Sequence, residues 1–265
     1  MCRIAAYVGP PRPLEALLYG APHSLHEQAY RPGEQLHGTV NVDGTGAVWW
    51  PGSASAPLRY ATTSPPWSDH NLRDLAPHLT GRAIVASVRG ATPGMPAGRA
   101  AVAPFRVAGL AVAHNGWLGG FPEEVGPRLV ADLPGRWVSE LEVMSDSLLL
   151  ALHVAARWET TGDLPDAVAT TLTDVAAVCR SAARPATLNL VVSDGRRIVA
   201  SRTSVGEACN SLYVLTDGGA VWPDAALVAS EPLDDLGWKP VPADHVVEVG
   251  PDHHRSFPID LGASP

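Results

Sequence analysis

Met1-Cys2-Arg3-Ile4-Ala5-Ala6-Tyr7-Val8-Gly9 opens the chain and places a cysteine directly behind the initiator methionine. Because the second side chain is small, we expect Met1 to be removed, which leaves Cys2 with a free α-amino group. Such amines have a pKa of about 7.7–8, so a substantial fraction is unprotonated at physiological pH. One residue can then supply a nucleophilic thiol together with its general base. The alternative interpretation is that Cys2 is only a small buried hydrophobic residue.

The residues after the cysteine predict a β-strand at positions 3–8, which would fix the N-terminus at the end of a sheet. Further along, sequence patterns predict strands 82–89 and 107–114, helices 146–158 and 164–183, and a hairpin of strands 187–193 and 197–201. Strands, then helices, then strands again predict an α+β fold with layered antiparallel sheets. No linker or repeat interrupts the chain, so we predict a single domain spanning residues 1–265.

Composition excludes several classes of function. The 265 residues carry a formal net charge of −8, and Lys239 is the one lysine, so a nucleic-acid partner is not expected. No run of 18 apolar residues predicts a membrane span, and the N-terminus does not resemble a signal peptide, so we predict a cytoplasmic protein without membrane association. Three widely spaced cysteines and ten histidines form no ligand pattern, so we predict neither a disulfide framework nor a metal or cofactor.

Two charged residues lie where predicted elements begin or end. Arg89 ends a hydrophobic strand before the Gly- and Pro-rich loop 90–96, where its guanidinium could bind a carboxylate through two parallel hydrogen bonds. Taken alone, Arg89 is better explained as a solvated strand end. Asp146 opens a helix behind the expected N-cap Ser145, where the helix dipole alone would favour an acid. Together, Arg89 and Asp146 could hold both ends of an amino-acid backbone and leave a γ-carbonyl to reach Cys2.

His114-Asn115-Gly116 follows a predicted strand and allows two interpretations. Asn-Gly is a common type I′ turn, which would make the motif structural. Alternatively, the Asn115 side-chain amide and the Gly116 backbone N–H form an oxyanion hole that stabilises the negative charge developing during acyl transfer.

The ordered set of motifs resembles the class II glutamine amidotransferase family of N-terminal nucleophile hydrolases. The resemblance rests on Met1-Cys2-Arg3, Val88-Arg89 with Ala91-Thr92, His114-Asn115-Gly116 and Ser145-Asp146-Ser147, in that order. It extends over most of the chain, including Asn41-Val42-Asp43-Gly44, Leu188-Asn189-Leu190 and Ala229-Ser230-Glu231-Pro232-Leu233. Within the family, the set is most similar to the γ-glutamyl hydrolases of bacterial ergothioneine biosynthesis.

That resemblance implies a four-layer αββα sandwich of two antiparallel sheets flanked by helices. It also implies that Cys2 is the nucleophile and that Asn115 and Gly116 form the oxyanion hole. Arg89 would bind the substrate α-carboxylate, Asp146 the α-amino group, and Thr92 would be a supporting substrate contact. The expected substrate is a small γ-glutamyl amide, cleaved through a thioester to release glutamate. Gly90 and Pro93 depart from the family pattern, which predicts a different pocket wall.

The same resemblance implies that the leaving amine is hercynylcysteine sulfoxide, whose trimethylammonium group favours aromatic surfaces. Trp49, Trp50, Trp67 and Trp117 lie near the motifs in sequence, although core packing accounts for any one of them. Two alternatives stay open: a glutaminase subunit that supplies ammonia to a partner synthase, and a non-catalytic binding protein of the same fold. The sequence does not determine the oligomeric state.

Overall fold

A computed structural model describes residues 2–52 and 55–262. Met1, whose removal is predicted, lies outside the described residues. The strands are β1 (Arg3–Pro13), β2 (Thr45–Trp50), β3 (Leu58–Thr62), β4 (Thr80–Val88), β5 (Phe105–Val107), β6 (Leu110–Leu118), β7 (Ala186–Ser193), β8 (Ile198–Arg202), β9 (Ser204–Val205), β10 (Tyr213–Leu215), β11 (Ala226–Ala229), β12 (Lys239–Pro240), β13 (His245–Gly250) and β14 (His253–Pro258). The helices are α1 (Leu25–Tyr30), α2 (His70–Leu75), α3 (Gly126–Ala131), α4 (Gly135–Val138), α5 (Asp146–Thr161) and α6 (Leu164–Ser181). Short helical turns span Ala16–Gly20, Arg99–Ala101 and Phe121–Val125.

These strands form two antiparallel sheets of seven strands each. The first sheet has the order β12-β10-β11-β1-β4-β2-β3, which places the N-terminal strand at its centre. The second sheet has the order β14-β13-β8-β7-β6-β5, with β9 paired to β7. Helix α1 packs on the first sheet, whereas α5 and α6 pack on the second. The order of layers is therefore helix, sheet, sheet, helix, and the predicted α+β sandwich is confirmed.

Strand β1 is buried on both of its faces. Ile4, Ala6 and Val8 contribute to the core that includes the second sheet and its helices, while Ala5 and Tyr7 contribute to the core beneath α1. Full burial of one such aliphatic side chain contributes roughly 1.5–3 kcal/mol. This packing holds the strand that begins one residue after Cys2 firmly in place.

Helices α5 and α6 form an antiparallel hairpin that closes the outer side of the second sheet. Gly162 ends α5 in a left-handed conformation with φ of 68°, which glycine adopts without steric cost. The Asp163 side chain then accepts the backbone N–H of Asp166 at 3.1 Å and caps α6. The predicted N-cap Ser145 is confirmed, since its hydroxyl accepts the N–H of Leu148 at 3.3 Å.

One predicted strand is wrong in its bounds. Residues 107–114 are not a single strand, because Ala108-Gly109 turns the chain between β5 and β6. Strand β6 then continues through Asn115 and Gly116 to Leu118, paired with β7 along its length. The type I′ turn interpretation of Asn115-Gly116 is therefore also wrong. The hairpin of β7 and β8 around residues 194–197 occurs as predicted.

Candidate active site

Cys2 and Arg89 extend past the same end of the first sheet. Strands β1 and β4 are antiparallel neighbours in which Arg3 pairs with Val88, so Cys2, one residue before Arg3, and Arg89, one residue after Val88, lie at the same end of the two strands. Cys2 is a partly exposed free thiol. The N–H of Arg89 donates to Gly44 O at 2.8 Å, which carries the pairing with β2 one residue beyond the strand. The two candidate residues thus lie at the same end of two adjacent strands in the middle of the sheet.

The Arg89 side chain is largely buried and only partly satisfied by the protein. Its Nη2 donates to Pro96 O at 2.8 Å, the one hydrogen bond of this guanidinium within the described residues. The loop between Arg89 and Pro96 is anchored by a further hydrogen bond, in which Asp43 Oδ2 accepts the N–H of Ala91 at 2.7 Å. The remaining guanidinium donors are therefore free to bind an anion such as a carboxylate.

The Asn115 side chain is 1 % exposed, yet neither its Nδ2 nor its Oδ1 has a hydrogen-bond partner within the described residues. A buried polar group without a partner costs free energy, so such groups are uncommon and require an explanation. The Asn115 backbone is well held, since its carbonyl accepts Asn210 Nδ2 at 3.0 Å. A fixed backbone with an unpaired side-chain amide is the arrangement that an oxyanion site requires.

Glycine is sterically required at position 116. A Cβ atom at this position would lie 1.9 Å from Thr187 O and 2.4 Å from His114 Nε2. The same Thr187 carbonyl, on the neighbouring strand β7, accepts a hydrogen bond from His114 Nε2 at 2.9 Å. Because a carbonyl oxygen only accepts, Nε2 carries the proton in that contact. The other ring nitrogen of His114 lies 3.0 Å from Ser147 Oγ, whose hydroxyl also donates to Asp146 Oδ1 at 3.1 Å.

This contact joins β6 to the start of α5, where Asp146 is located. Asp146 is 5 % exposed and accepts the N–H of Ser147 through Oδ1 at 2.6 Å. Its Oδ2 has no hydrogen bond within the described residues, so this oxygen is available to a ligand. The sequence motifs at Asn115 and Asp146 are thus linked through His114 and Ser147.

A second chain of contacts links the two sheets. Arg3 Nη1 lies 3.5 Å from Ser211 Oγ. Asn189 Nδ2 donates to the carbonyls of both Ser211 and Asn210, at 3.1 Å and 3.2 Å. Asn210 in turn donates to Asn115 O. The residue that follows the nucleophile and the proposed oxyanion residue are therefore joined by a continuous polar path.

A cavity of about 270 Å³ adjoins these motifs. Its lining residues are His37, Gly38, Ala91, Thr92, Pro93 and Trp117. Ala91 and Thr92 follow Arg89 in the chain, and Trp117 follows Gly116. A larger cavity, of about 360 Å³, is lined by α6, Arg197 and β14 and includes none of the predicted site residues.

Trp117 and His37 line the cavity, and neither was among the predicted site residues. Adjacency to Gly116 was the available signal for Trp117, whereas nothing in the sequence marks His37.

Trp49 and Trp50 lie in the cores on opposite faces of the first sheet. Trp67 instead contacts the ring of Tyr30 on the protein surface. Within the described residues, no hydrogen bond joins Cys2, Asn115 and Asp146 directly; they are connected through intermediate residues.

Two observations concern cofactors and membranes. Within residues 2–52 and 55–262, no three His, Cys, Asp or Glu side chains come together as a metal site would require. None of the helices in those ranges is long and apolar enough to cross a bilayer.

Comparison with solved structures identifies the class of fold. A glutamine aminotransferase class-II domain protein from Silicibacter pomeroyi superposes with a TM-score of 0.68, covering 97% of this chain and 99% of that one at 21% identity. The glutamine phosphoribosylpyrophosphate amidotransferase from B. subtilis superposes with a TM-score of 0.64 over 98% of this chain and 50% of its own, at 17% identity. The fold is that of class II glutamine amidotransferase domains. No protein-family model matches the chain.

Curated relatives define the family more narrowly. The γ-glutamyl-hercynylcysteine sulfoxide hydrolase of Mycolicibacterium smegmatis is 33% identical over 260 residues, covering 98% of this chain and 100% of the relative. The Mycobacterium tuberculosis protein of the same name is 32% identical over 250 residues, covering 94% of this chain and 93% of the relative. The chain therefore belongs to the family of γ-glutamyl-hercynylcysteine sulfoxide hydrolases, as the resemblance predicted, and it is a hydrolase.

Proposed function

We propose that this hydrolase cleaves a γ-glutamyl amide through a thioester on Cys2. The observation that carries the proposal is the buried Asn115 side-chain amide, which has no hydrogen-bond partner within the described residues and whose backbone is joined to the Cys2 strand by a polar path. Trp117, two residues further along β6, lines the cavity. A buried donor without a partner requires an explanation, and a catalytic role, in which the substrate supplies the acceptor, is one such explanation. The names of the curated relatives supply the substrate class, a γ-glutamyl amide.

Substrate binding is assigned to groups with unused hydrogen-bonding capacity. Arg89 binds the α-carboxylate through the donors that Pro96 leaves free. Asp146 accepts the α-ammonium through Oδ2, while Oδ1 stays engaged with Ser147. Thr92 lies on the cavity wall and contacts the glutamyl chain. These interactions position the γ-carbonyl at Cys2, and such positioning removes much of the entropic cost of the reaction.

The chemistry follows from one residue that holds both sulfur and amine. The α-amine of the mature Cys2 takes the thiol proton while sulfur bonds to the γ-carbonyl carbon. The resulting oxyanion accepts hydrogen bonds from Asn115 Nδ2 and the Gly116 N–H. When the C–N bond breaks, the leaving amine receives the proton from the α-ammonium. Water, deprotonated by the same amine, then cleaves the thioester and releases glutamate.

The leaving amine occupies the cavity beyond the scissile bond. Trp117 presents an aromatic surface there, and aromatic rings attract quaternary ammonium groups. This chemistry suits hercynylcysteine sulfoxide, the amine in the names of the relatives, and supports the proposal that the reaction belongs to ergothioneine biosynthesis. The reaction takes place in the cytoplasm.

A hydrolysis assay over a panel of γ-glutamyl compounds tests the function. The panel includes γ-glutamyl-hercynylcysteine sulfoxide, free glutamine and a γ-glutamyl anilide, with Cys2→Ala as the matched inactive variant. We expect the sulfoxide to have the highest kcat/KM and the Cys2→Ala protein to be inactive. Faster turnover of free glutamine would favour the ammonia-supplying alternative, and no turnover of any compound would favour the binding protein.

A further inference from the structure

Glu231 is a buried carboxylate that does not line the cavity of about 270 Å³. It follows β11 and is 2 % exposed. Its neighbour Ser230 binds both backbone groups of Ile4: the Ser230 N–H donates to Ile4 O at 2.8 Å, and the Ile4 N–H donates to Ser230 Oγ at 3.0 Å. The Ser230-Glu231 segment is therefore fixed to β1 two residues after the nucleophile.

The Glu231 carboxylate holds the start of the loop between α1 and β2. Its Oε2 accepts the Gly33 N–H at 2.7 Å, and its Oε1 accepts the Glu34 N–H at 3.2 Å. His23 Nε2 also lies 2.8 Å from Oε2. Burial alone would raise the pKa of Glu231, but these hydrogen bonds and the charge of Arg3 outweigh it and lower the pKa. The group is therefore an anion at neutral pH.

Arg3 connects that anion to the nucleophile. It is fully buried, directly follows Cys2, and its Nη1 lies 3.5 Å from Glu231 Oε1. Its Nε donates to Gln35 Oε1 at 3.3 Å, and Gln35 Oε1 also accepts Asn41 Nδ2 at 2.9 Å. A guanidinium without water requires a nearby anion, so Arg3 and Glu231 depend on each other.

The loop held by this ion pair forms one wall of the cavity. Residues 33–35 bind Glu231 and Arg3, and His37 and Gly38, two residues further on, line the cavity. Further along the same loop, His37 Nε2 lies 3.6 Å from Glu207 Oε2. The pocket wall and the nucleophile strand are thus joined through one buried ion pair.

We propose that Glu231 and Arg3 are positioning residues that set the distance between the cavity wall at residues 37–38 and the Cys2 thiol. Neither touches the substrate. The proposal rests on the function proposed above and extends it, because a displacement of about 1 Å at a reacting group costs on the order of 100-fold in rate.

The test uses Glu231→Gln in the full-length enzyme, with Glu248→Gln as the matched control. Glu248 is also buried and pairs with an arginine, Arg197 Nη1, at 2.6 Å, but it lies on β13 away from the cavity. Two quantities are measured: kcat and KM for γ-glutamyl-hercynylcysteine sulfoxide, and amide hydrogen exchange of the peptide covering residues 31–40.

We expect Glu231→Gln to raise KM at least fivefold, to lower kcat/KM at least tenfold, and to speed exchange in residues 31–40 at least tenfold. The control should leave KM and that exchange within twofold of wild type. A purely structural loss would reduce the active fraction, and hence kcat, without moving KM. An unchanged KM, or the same changes in Glu248→Gln, overturns the proposal.

A second variant covers the case in which Glu231→Gln does not fold. Gln35→Ala removes the Arg3 acceptor without unpairing a charge, and it should raise KM at least threefold; an unchanged KM overturns the proposal. If the wild-type enzyme cleaves no γ-glutamyl compound, the proposed function fails, while the exchange comparison still decides whether Glu231 holds the loop.

Discussion

His114 Nδ1 lies 3.0 Å from Ser147 Oγ, and this contact ties the strand of Asn115 to the helix that begins with Asp146. The ring has one further partner, Thr187 O, so it is fixed at both nitrogens. The proposed oxyanion residue and the proposed ammonium-binding residue therefore share a support. If one moves relative to the other, binding of the substrate and stabilisation of its transition state are both affected.

Ser147→Ala tests this shared support. The loss of one hydrogen bond to a buried imidazole should cost about 1 kcal/mol in the free energy of unfolding. The variant also removes the Ser147 hydroxyl that donates to Asp146 Oδ1, so the proposed ammonium-binding carboxylate is held less firmly. We therefore expect KM to rise several-fold, measured by steady-state kinetics with the sulfoxide substrate. Ser181→Ala, which removes an exposed hydroxyl on α6, is the control. An unchanged KM would show that Asp146 does not need the contact.

Asn115→Ala should separate activity from stability. The amide has no partner in the described residues, so its removal should leave the free energy of unfolding the same or slightly higher. Loss of one oxyanion donor costs about 2.7–4 kcal/mol of transition-state stabilisation, which corresponds to roughly 100- to 1000-fold in kcat. Urea unfolding and steady-state kinetics measure the two quantities. A large loss of stability, or a kcat within tenfold of wild type, would contradict the assignment.

Gly116→Ala should damage both properties. The added Cβ would lie 1.9 Å from Thr187 O, so β6 and β7 must separate where the oxyanion donor is located. We expect a loss of about 1–3 kcal/mol in the free energy of unfolding and at least a 100-fold loss of kcat. In the control Gly135→Ala, the new Cβ meets nothing within 4 Å. That variant should match wild type in both thermal unfolding and turnover.

Thiol labelling should distinguish Cys2 from Cys179. Cys2 is partly exposed, whereas Cys179 is fully buried in α6 and burial raises its pKa to about 11. Because this pKa lies above the usual value for a thiol, Cys179 stays neutral at pH 8, where roughly one molecule in a thousand carries it as a thiolate. Iodoacetamide at pH 8 should therefore modify the peptide that carries Cys2 and spare the one that carries Cys179. Peptide mapping by mass spectrometry reads the result, and equal labelling of both would contradict it.

The raised pKa of Cys179 also predicts how the stability of the protein changes at alkaline pH. A neutral Cys179 in the folded protein and an ionised thiol in the unfolded chain favour unfolding as pH rises from about 9 towards 11. Cys179→Ala removes this contribution. The stability difference between wild type and Cys179→Ala should therefore shift against wild type over that range, measured by urea unfolding at several pH values.

Local patterns predicted β1, β4, α5, α6 and the hairpin of β7 and β8, because each shows the periodicity or the capping residue of its element. Strand β14 was missed, because His253–Pro258 is a mostly exposed edge strand without apolar alternation. Asn115-Gly116 has the composition of a turn, yet it lies within β6, where the close approach of Thr187 O requires glycine. That requirement is tertiary and leaves no local signal.

The site was predictable where its residues stand in short motifs and not where distant segments meet. Arg89, Asn115 and Asp146 each have unused hydrogen-bonding capacity in the structure, although their roles stay predictions. The pairing of Arg3 with Glu231 joins positions 228 residues apart in the chain, and no spacing rule connects them. His37 lines the cavity two residues after Gln35, which accepts a hydrogen bond from Arg3.

The most direct test is mass spectrometry of the N-terminal peptide after acid quenching during turnover of γ-glutamyl-hercynylcysteine sulfoxide. The account predicts a peptide that begins with Cys2, lacks Met1, and carries one γ-glutamyl group that disappears once substrate is exhausted. An active enzyme that retains Met1, or a Cys2→Ala protein with wild-type turnover, would contradict it.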